Sequence, residues 1–123
     1  MNVMNRINEL SVPVSANWLA ICPLDDIVPD TGVCALLKGR HVAIFRVGDA
    51  APRVLAIDNV DPNAGASVLS RGLVGSIGER IVVASPLYKQ HFDLASGDCL
   101  EAPEHAVDTW PARVADGLVW VAI

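Results

Sequence analysis

The 123-residue sequence predicts an all-β fold, a sandwich or barrel of short antiparallel strands. Three observations carry the prediction. Short runs rich in Val, Ile, Leu and Ala alternate with turn residues at about the eight-to-twelve-residue spacing of sandwiches and barrels. No apolar pattern of helical period is sustained anywhere in the chain. Near the C-terminus, Asp116-Gly117 sits between two β-like runs, and a two-residue Asp-Gly loop is among the clearest hairpin signals.

Taken in order, residues 1–16 are polar and irregular and read as an N-terminal arm. The Met1–Leu10 segment lacks the apolar core and cleavage site of a signal peptide. One domain is expected over 17–123. Asn17 to Cys22 is the first strand, Pro23 stops it, and Leu24 to Gly32 forms a long acidic turn. Asp25 and Asp26 in that turn lack a third carboxylate at calcium-loop spacing, so they read as solvated. Gly32 to Leu37 and His41 to Val47 are strands joined by Lys38-Gly39-Arg40, the second of them mostly buried. His41 opens its strand as a surface histidine. Gly48 to Arg53 is a turn and Val54 to Asp58 the next strand. Ala64 to Ser70 allows one short helical turn. Ser70 to Arg80 carries glycines at three-residue spacing, but no long helix follows, so it reads as a connecting turn and not a phosphate cradle. Arg80 to Ala84 and Phe92 to Leu94 are strands, and Ala95-Ser96-Gly97-Asp98 is a tight turn. Val107 to Val114 is expected to pair with Leu118 to Ile123 across Asp116-Gly117.

Composition narrows the function classes. Apolar and aromatic residues make up 52% of the chain and charged residues 19%, which describes a globular core and no disordered tract. The net charge is −5, and the nine basic residues are scattered, which argues against nucleic acid or an anionic membrane as partner. No 18-residue apolar run is present to span a membrane. Cys22, Cys34 and Cys99 show no C-x-x-C spacing and read as reduced thiols of a cytoplasmic protein, with Cys34 a small buried hydrophobe.

Two turn-rich stretches inside residues 58–94 stand apart. Asp61-Pro62-Asn63-Ala64-Gly65-Ala66-Ser67-Val68-Leu69 follows the run ending at Asp58, and Ser85-Pro86-Leu87-Tyr88-Lys89-Gln90-His91-Phe92-Asp93-Leu94 follows the run ending at Ala84. The pair resembles the two cluster-binding loops of Rieske iron–sulfur domains, which read roughly C-P-H-x-G-A-x-L and C-P-L-H-G-W-x-F-D-L. Pro62, Gly65, Ala66, Pro86, Leu87, Phe92, Asp93 and Leu94 match. The four ligand positions do not: Asp61, Asn63, Ser85 and Tyr88 stand there. A Rieske cluster takes two thiolates and two imidazoles, and these side chains offer neither.

The run from Ser85 to Phe92, with Cys22-Pro23-Leu24-Asp25-Asp26-Ile27 upstream, is similar to the small subunits of assimilatory NADH-dependent nitrite reductases, a cluster-free Rieske-like family. The resemblance implies a Rieske-like sandwich with a two-loop subdomain at about 58–94. It implies a role supporting a large catalytic subunit that takes nitrite to ammonium and carries FAD, siroheme and an iron–sulfur cluster, with NADH as reductant. It implies no cofactor and no catalytic residue on this chain.

The residues themselves leave other chemistries open. Ser85 or Ser67 with His91 and an aspartate can be drawn as a hydrolytic set, but neither serine lies in G-x-S-x-G. Asp61, Asn63, Ser85 and His91 can be drawn as a hard-cation site, without convergent carboxylates. A Rieske-type ferredoxin feeding an oxygenase and a free-standing binding module are the rival functions. The candidates for docking a partner are Asp61, Asn63, Tyr88, Lys89, Gln90 and His91, with Tyr88 and His91 alternatively filling the space of a lost cluster.

Overall fold

The computed structural model describes residues 17–48 and 51–123. The expected arm, and the middle of the turn after Gly48, lie outside the described residues. Alternation within one strand organises the rest. In β3 (Arg40–Val47), Val42 and Ile44 face one core while Ala43, Phe45 and Val47 face another, and all five are buried. A strand buried on both faces reads as a continuous apolar run, which is how it appears in the sequence. Each large side chain withdrawn from water there contributes about 1.5–3 kcal/mol.

β3 lies inside a four-stranded antiparallel sheet. β2 (Thr31–Leu37) flanks it on one side, β4 (Arg53–Asp58) on the other, and β10 (Thr109–Trp110) follows β4. The β2–β3 connection is two residues long, with Leu37 opposite Arg40 and both Lys38 (φ 48°) and Gly39 (φ 79°) left-handed. That geometry suits the right-handed twist of a hairpin, and it is one residue tighter than the sequence suggests.

A three-stranded sheet of β1 (Trp18–Pro23), β12 (Leu118–Ala122) and β11 (Ala112–Ala115) closes the first core, burying Val119 and Val121 against Val42 and Ile44. The Asp116-Gly117 hairpin is present, with Ala115 opposite Leu118 and φ of 57° and 74° at the two turn residues. Its N-terminal arm is shorter than expected. Thr109 and Trp110 pair instead with Ile57 and Ala56 of β4. Pro111 separates the two pairings; it has no N–H for a ladder bond, and the chain changes sheets there.

The second core is closed by a three-stranded sheet of β7 (Leu73–Ile77), β8 (Arg80–Ala84) and β9 (His91–Asp93), which buries Val83, Phe92 and Leu94 against Phe45 and Ile57. β7 falls where the sequence reads as a connecting turn. Its ladder to β8 runs from Leu73–Ala84 to Ile77–Arg80, and Gly75 in its middle has nothing within 4 Å of a Cβ position. The helical turn expected within 64–70 lies at Leu69–Arg71, because Ala66–Ser67 is β6 and pairs with β5 (Val60–Asp61).

The cysteines are all free, Cys22 half-buried, Cys99 buried and Cys34 exposed. Cys34 corrects the expectation of a buried residue. Val33 and Ala35 pack on the first core, so Cys34 points to the other face of β2, at the edge of the four-stranded sheet.

Candidate functional site

The two unusual loops meet at the end of the second core. The first leaves β4 through Asn59, which is 1% exposed and fully used. Its N–H bonds His41 O at 2.8 Å, its carbonyl accepts Val68 and Leu69 N–H, and its Oδ1 accepts Ser70 N–H at 2.6 Å. Its Nδ2 donates to Ser67 Oγ at 2.7 Å. One asparagine thus fixes both ends of the first loop to β3. Sequence reasoning missed it, for its only local signal is a polar residue between the runs of β4 and β5.

Within that loop, Asp61 Oδ1 accepts Asn63 N–H at 2.8 Å and the Asp61 carbonyl accepts Gly65 N–H at 2.7 Å, an Asx-type turn that closes on left-handed Gly65 (φ 68°). In the second loop, Ser85 N–H bonds Gln90 O at 2.9 Å, and Lys89 N–H bonds Ser85 O at 2.9 Å. Lys89 has φ of 60° and stands where the Rieske-type pattern has glycine. A left-handed conformation is held here by a residue with a Cβ, at a cost of about 1–2 kcal/mol.

Side chains join the loops to one another. Ser85 Oγ donates to Asp61 Oδ2, and both residues are buried, at 1% and 0% exposure. Asn63 Nδ2 donates to Gln90 Oε1. So Asp61 and Ser85, standing where the pattern has its two cysteines, hold each other. Tyr88, at the fourth ligand position, is 62% exposed and does not fill the interior.

Two ion pairs of Arg80 and a hydrogen bond from His91 to Glu101 brace the sheet beneath. Arg80 Nε lies 2.6 Å from Asp93 Oδ2 and its Nη2 3.0 Å from Asp98. Burial works to raise the Asp93 pKa, but the Arg80 hydrogen bond and the N–H groups of Ser96 and Ala95 outweigh it and leave the pKa lowered. His91, half-buried, places Nδ1 2.6 Å from Glu101 Oε2, and its backbone N–H bonds Oε1 at 2.7 Å. That backbone bond first, then the ring, lower the Glu101 pKa against a burial effect that would raise it.

Of the six docking candidates, Asp61 is buried and turned inward, Asn63 and Gln90 are half-buried in the bond between loops, and His91 is tied to Glu101. Tyr88 and Lys89 are exposed. The drawn hydrolytic set does not assemble. Ser85 donates its hydroxyl hydrogen bond to Asp61, and Ser67 meets His41 Nδ1 at 2.8 Å instead of His91. The drawn cation site is likewise not gathered, since Asn63 is spent on Gln90 and His91 on Glu101. Among the described residues no three His, Cys, Asp or Glu side chains come together as metal ligands. Burial pushes the Cys99 thiol up, away from the thiolate that ligation or attack requires.

The donor set also fails the test for a [2Fe–2S] cluster. Neither thiolate nor imidazole stands at the four positions, and two of the four side chains are consumed in a mutual bond.

A cleft of about 390 Å³ opens between the second loop and β7, lined by Arg71, Leu73, Ser85, Pro86, Lys89 and His91 among others. A cleft of about 330 Å³ between β4 and the segment from Thr109 to Ala112 has no titratable group in its wall and offers no chemistry.

Against known proteins, residues 17–122 match the family model of the Rieske-like [2Fe-2S] domain. The chain is 50% identical over 104 residues to the nitrite reductase (NADH) small subunit of Salmonella typhimurium (strain LT2), covering 85% of this chain and 95% of that protein. It is 47% identical over 107 residues to a nitrite reductase [NAD(P)H] large subunit of Klebsiella oxytoca, covering 87% of this chain but spanning only 11% of that relative. The NMR structure of the Escherichia coli protein NirD superposes with a TM-score of 0.81 at 47% identity, over 88% of this chain and 97% of that one. Among the described residues no helix is long and apolar enough to cross a membrane.

Proposed function

This chain belongs to the Rieske-like [2Fe-2S] domain family, in its group of nitrite reductase (NADH) small subunits, and on that premise we propose that it is a cluster-free accessory subunit of a nitrite reductase. The observation that carries the reading is the bond from Ser85 to Asp61. A fold whose relatives are named for an iron–sulfur cluster has its two cysteine positions occupied by a carboxylate and a hydroxyl that satisfy each other. An electron carrier needs a redox group, and this pair is none. A subunit that shapes or stabilises a partner needs only a rigid surface.

The partner in this reading is the large catalytic subunit. The Klebsiella relative supports it, since a chain named as a large subunit contains a stretch matching almost all of this one. Two proteins represented within one chain of a relative are suited to standing side by side, one of each. NADH, FAD, siroheme and an iron–sulfur cluster belong to the large subunit, which turns nitrite into ammonium. The small subunit lends it structure, contributes no catalytic residue, and resides with it in the cytoplasm. A ferredoxin feeding an oxygenase is opposed by the donor set, which has no ligand for the cluster such a carrier uses.

Co-expression with a nitrite reductase large subunit from the same source tests the reading. The two chains are expected to copurify in equal amounts, with the separated small chain colourless and free of iron. Stoichiometric iron on this chain, or its elution apart from the large subunit, would sink it.

A further inference from the structure

The second loop and β7 carry a surface that the hydrogen-bonded tip does not. Leu73 is 82% exposed, Tyr88 62% and Leu87 51%, with Ile77 at 42%. Leu87 and Tyr88 lie in the turn between Pro86 and Lys89, two residues that line the 390 Å³ cleft with Leu73. Register places the rest. Leu73 pairs with Ala84 and Ala84 with His91, so these three form one row across the sheet. The same three line a second cleft of about 260 Å³ that continues along β7 to Ile77, and the two clefts share one wall. Gly75, between Leu73 and Ile77 on the same side, adds no side chain and leaves the floor open. Exposed apolar side chains gathered around two adjoining clefts mark an interaction site, whereas Val28 and Leu36, exposed elsewhere, line neither cleft.

Charge sets the chemistry of the occupant. The protein as a whole is at −5, yet the rim of the larger cleft is basic, with Arg71 and Lys89 at its edge. Neither forms an ion pair with a described residue. Carboxylates near this cleft are engaged: Asp61 with Ser85 in the cleft wall, Asp93 and Asp98 with Arg80, and Glu101 with His91. Glu79 lies at the far end, in the β7–β8 turn. Cations that no described residue pairs, beside apolar surface, suit a partner that brings carboxylates around an apolar projection, because complementary rims steer association and set register.

Building on the proposed function, we infer that the large subunit docks on this face of β7 and the second loop, through an apolar projection seated against Leu73 and Leu87 and flanked by acidic side chains that meet Arg71 and Lys89. The interface thus runs from the second loop along β7, beside the bond between Ser85 and Asp61.

The test uses the purified large subunit with its cofactors and measures its dissociation constant for four forms of this chain, at low and at physiological salt. Wild type binds. Leu73→Asp weakens binding at least about tenfold, as loss of a central apolar anchor does. The Arg71→Glu, Lys89→Glu double variant weakens it at low salt and flattens the salt dependence. Leu36→Asp, on the exposed edge of β2, binds as wild type. All four sites are solvent-exposed, and equal melting temperatures confirm folding. If Leu73→Asp and the charge reversal bind like wild type while wild type binds, the inference is wrong and the subunit reading stands. If Leu36→Asp weakens binding as much as Leu73→Asp, the face is misplaced. If wild type itself does not bind, the subunit reading fails and the inference with it.

Discussion

Ser85 donates its hydroxyl hydrogen to Oδ2 of Asp61 across a sequence separation of 24 residues, with both side chains withdrawn from water. The contact joins the two loops at the positions where a Rieske pattern places cysteines. Metal–sulfur bonds would tie such loops covalently, whereas here hydrogen bonds and packing must. A buried carboxylate deprived of a donor costs far more than an exposed one, so the bond matters through what its loss would leave behind.

Ser85→Ala therefore destabilises the protein by about 1–3 kcal/mol, the penalty for a buried polar group left unsatisfied. For a chain of this size that is a fall in Tm of about 4–12 °C. Calorimetry checks it, and hydrogen exchange is expected to accelerate first in the two loops. Unchanged melting with unchanged loop exchange would show that packing alone holds them.

Lys89→Gly acts in the opposite direction. The residue sits at φ of 60°, where glycine has no steric penalty. Relief of about 1–2 kcal/mol of strain, less the entropy of a freer unfolded chain, leaves a gain of about 0.5–1 kcal/mol. Urea unfolding reads the midpoint shift, and a lower midpoint would contradict the account.

Acid stability depends on Asp93 and Glu101. Both have pKa values lowered in the folded state from 3.8 and 4.5, so each contributes stability that is complete above its unfolded value. That contribution is lost as pH falls through the folded value, which places the decline below about pH 4.5 and leaves pH 5–8 unaffected by these two groups. Asp93→Asn costs about 1–2 kcal/mol at neutral pH and shallows the acid limb. Unfolding free energy measured from pH 7 to pH 2 in both proteins decides it.

Gly72 marks a close approach between the bend leading into β7 and the end of β8. A Cβ there would stand 2.2 Å from Ala84 O and 2.6 Å from Val83 Cγ2. Gly72→Ala forces the backbones apart and costs about 1–3 kcal/mol, as overpacking does. The loss of protected amides in β7 is the expected signature by NMR exchange, with β2 and β3 unaffected.

How much of this was legible follows from how local each signal is. The Asp116-Gly117 hairpin and the buried strand from Val42 to Val47 are written in adjacent residues, and both appear. The transfer of Thr109–Trp110 to β4 is not, because Pro111 announces an interruption but not the new partner. β7 was hidden by glycines at 72, 75 and 78, which resemble a turn; they serve instead a close approach, an open groove floor and the left-handed turn at Gly78. The loops were legible through their resemblance to the Rieske pattern, down to the four altered positions. That Asp61 would turn inward to Ser85, and Tyr88 outward, was not, since the choice depends on a partner many residues away.

The most direct test of the account is NADH-dependent nitrite reduction by the large subunit from the same source, assayed alone and with increasing amounts of this chain. The account predicts that rate or half-life rises and saturates at one small chain per large one. A large subunit equally active and equally stable at every amount added would contradict it, and would leave this protein a Rieske-like scaffold with another partner.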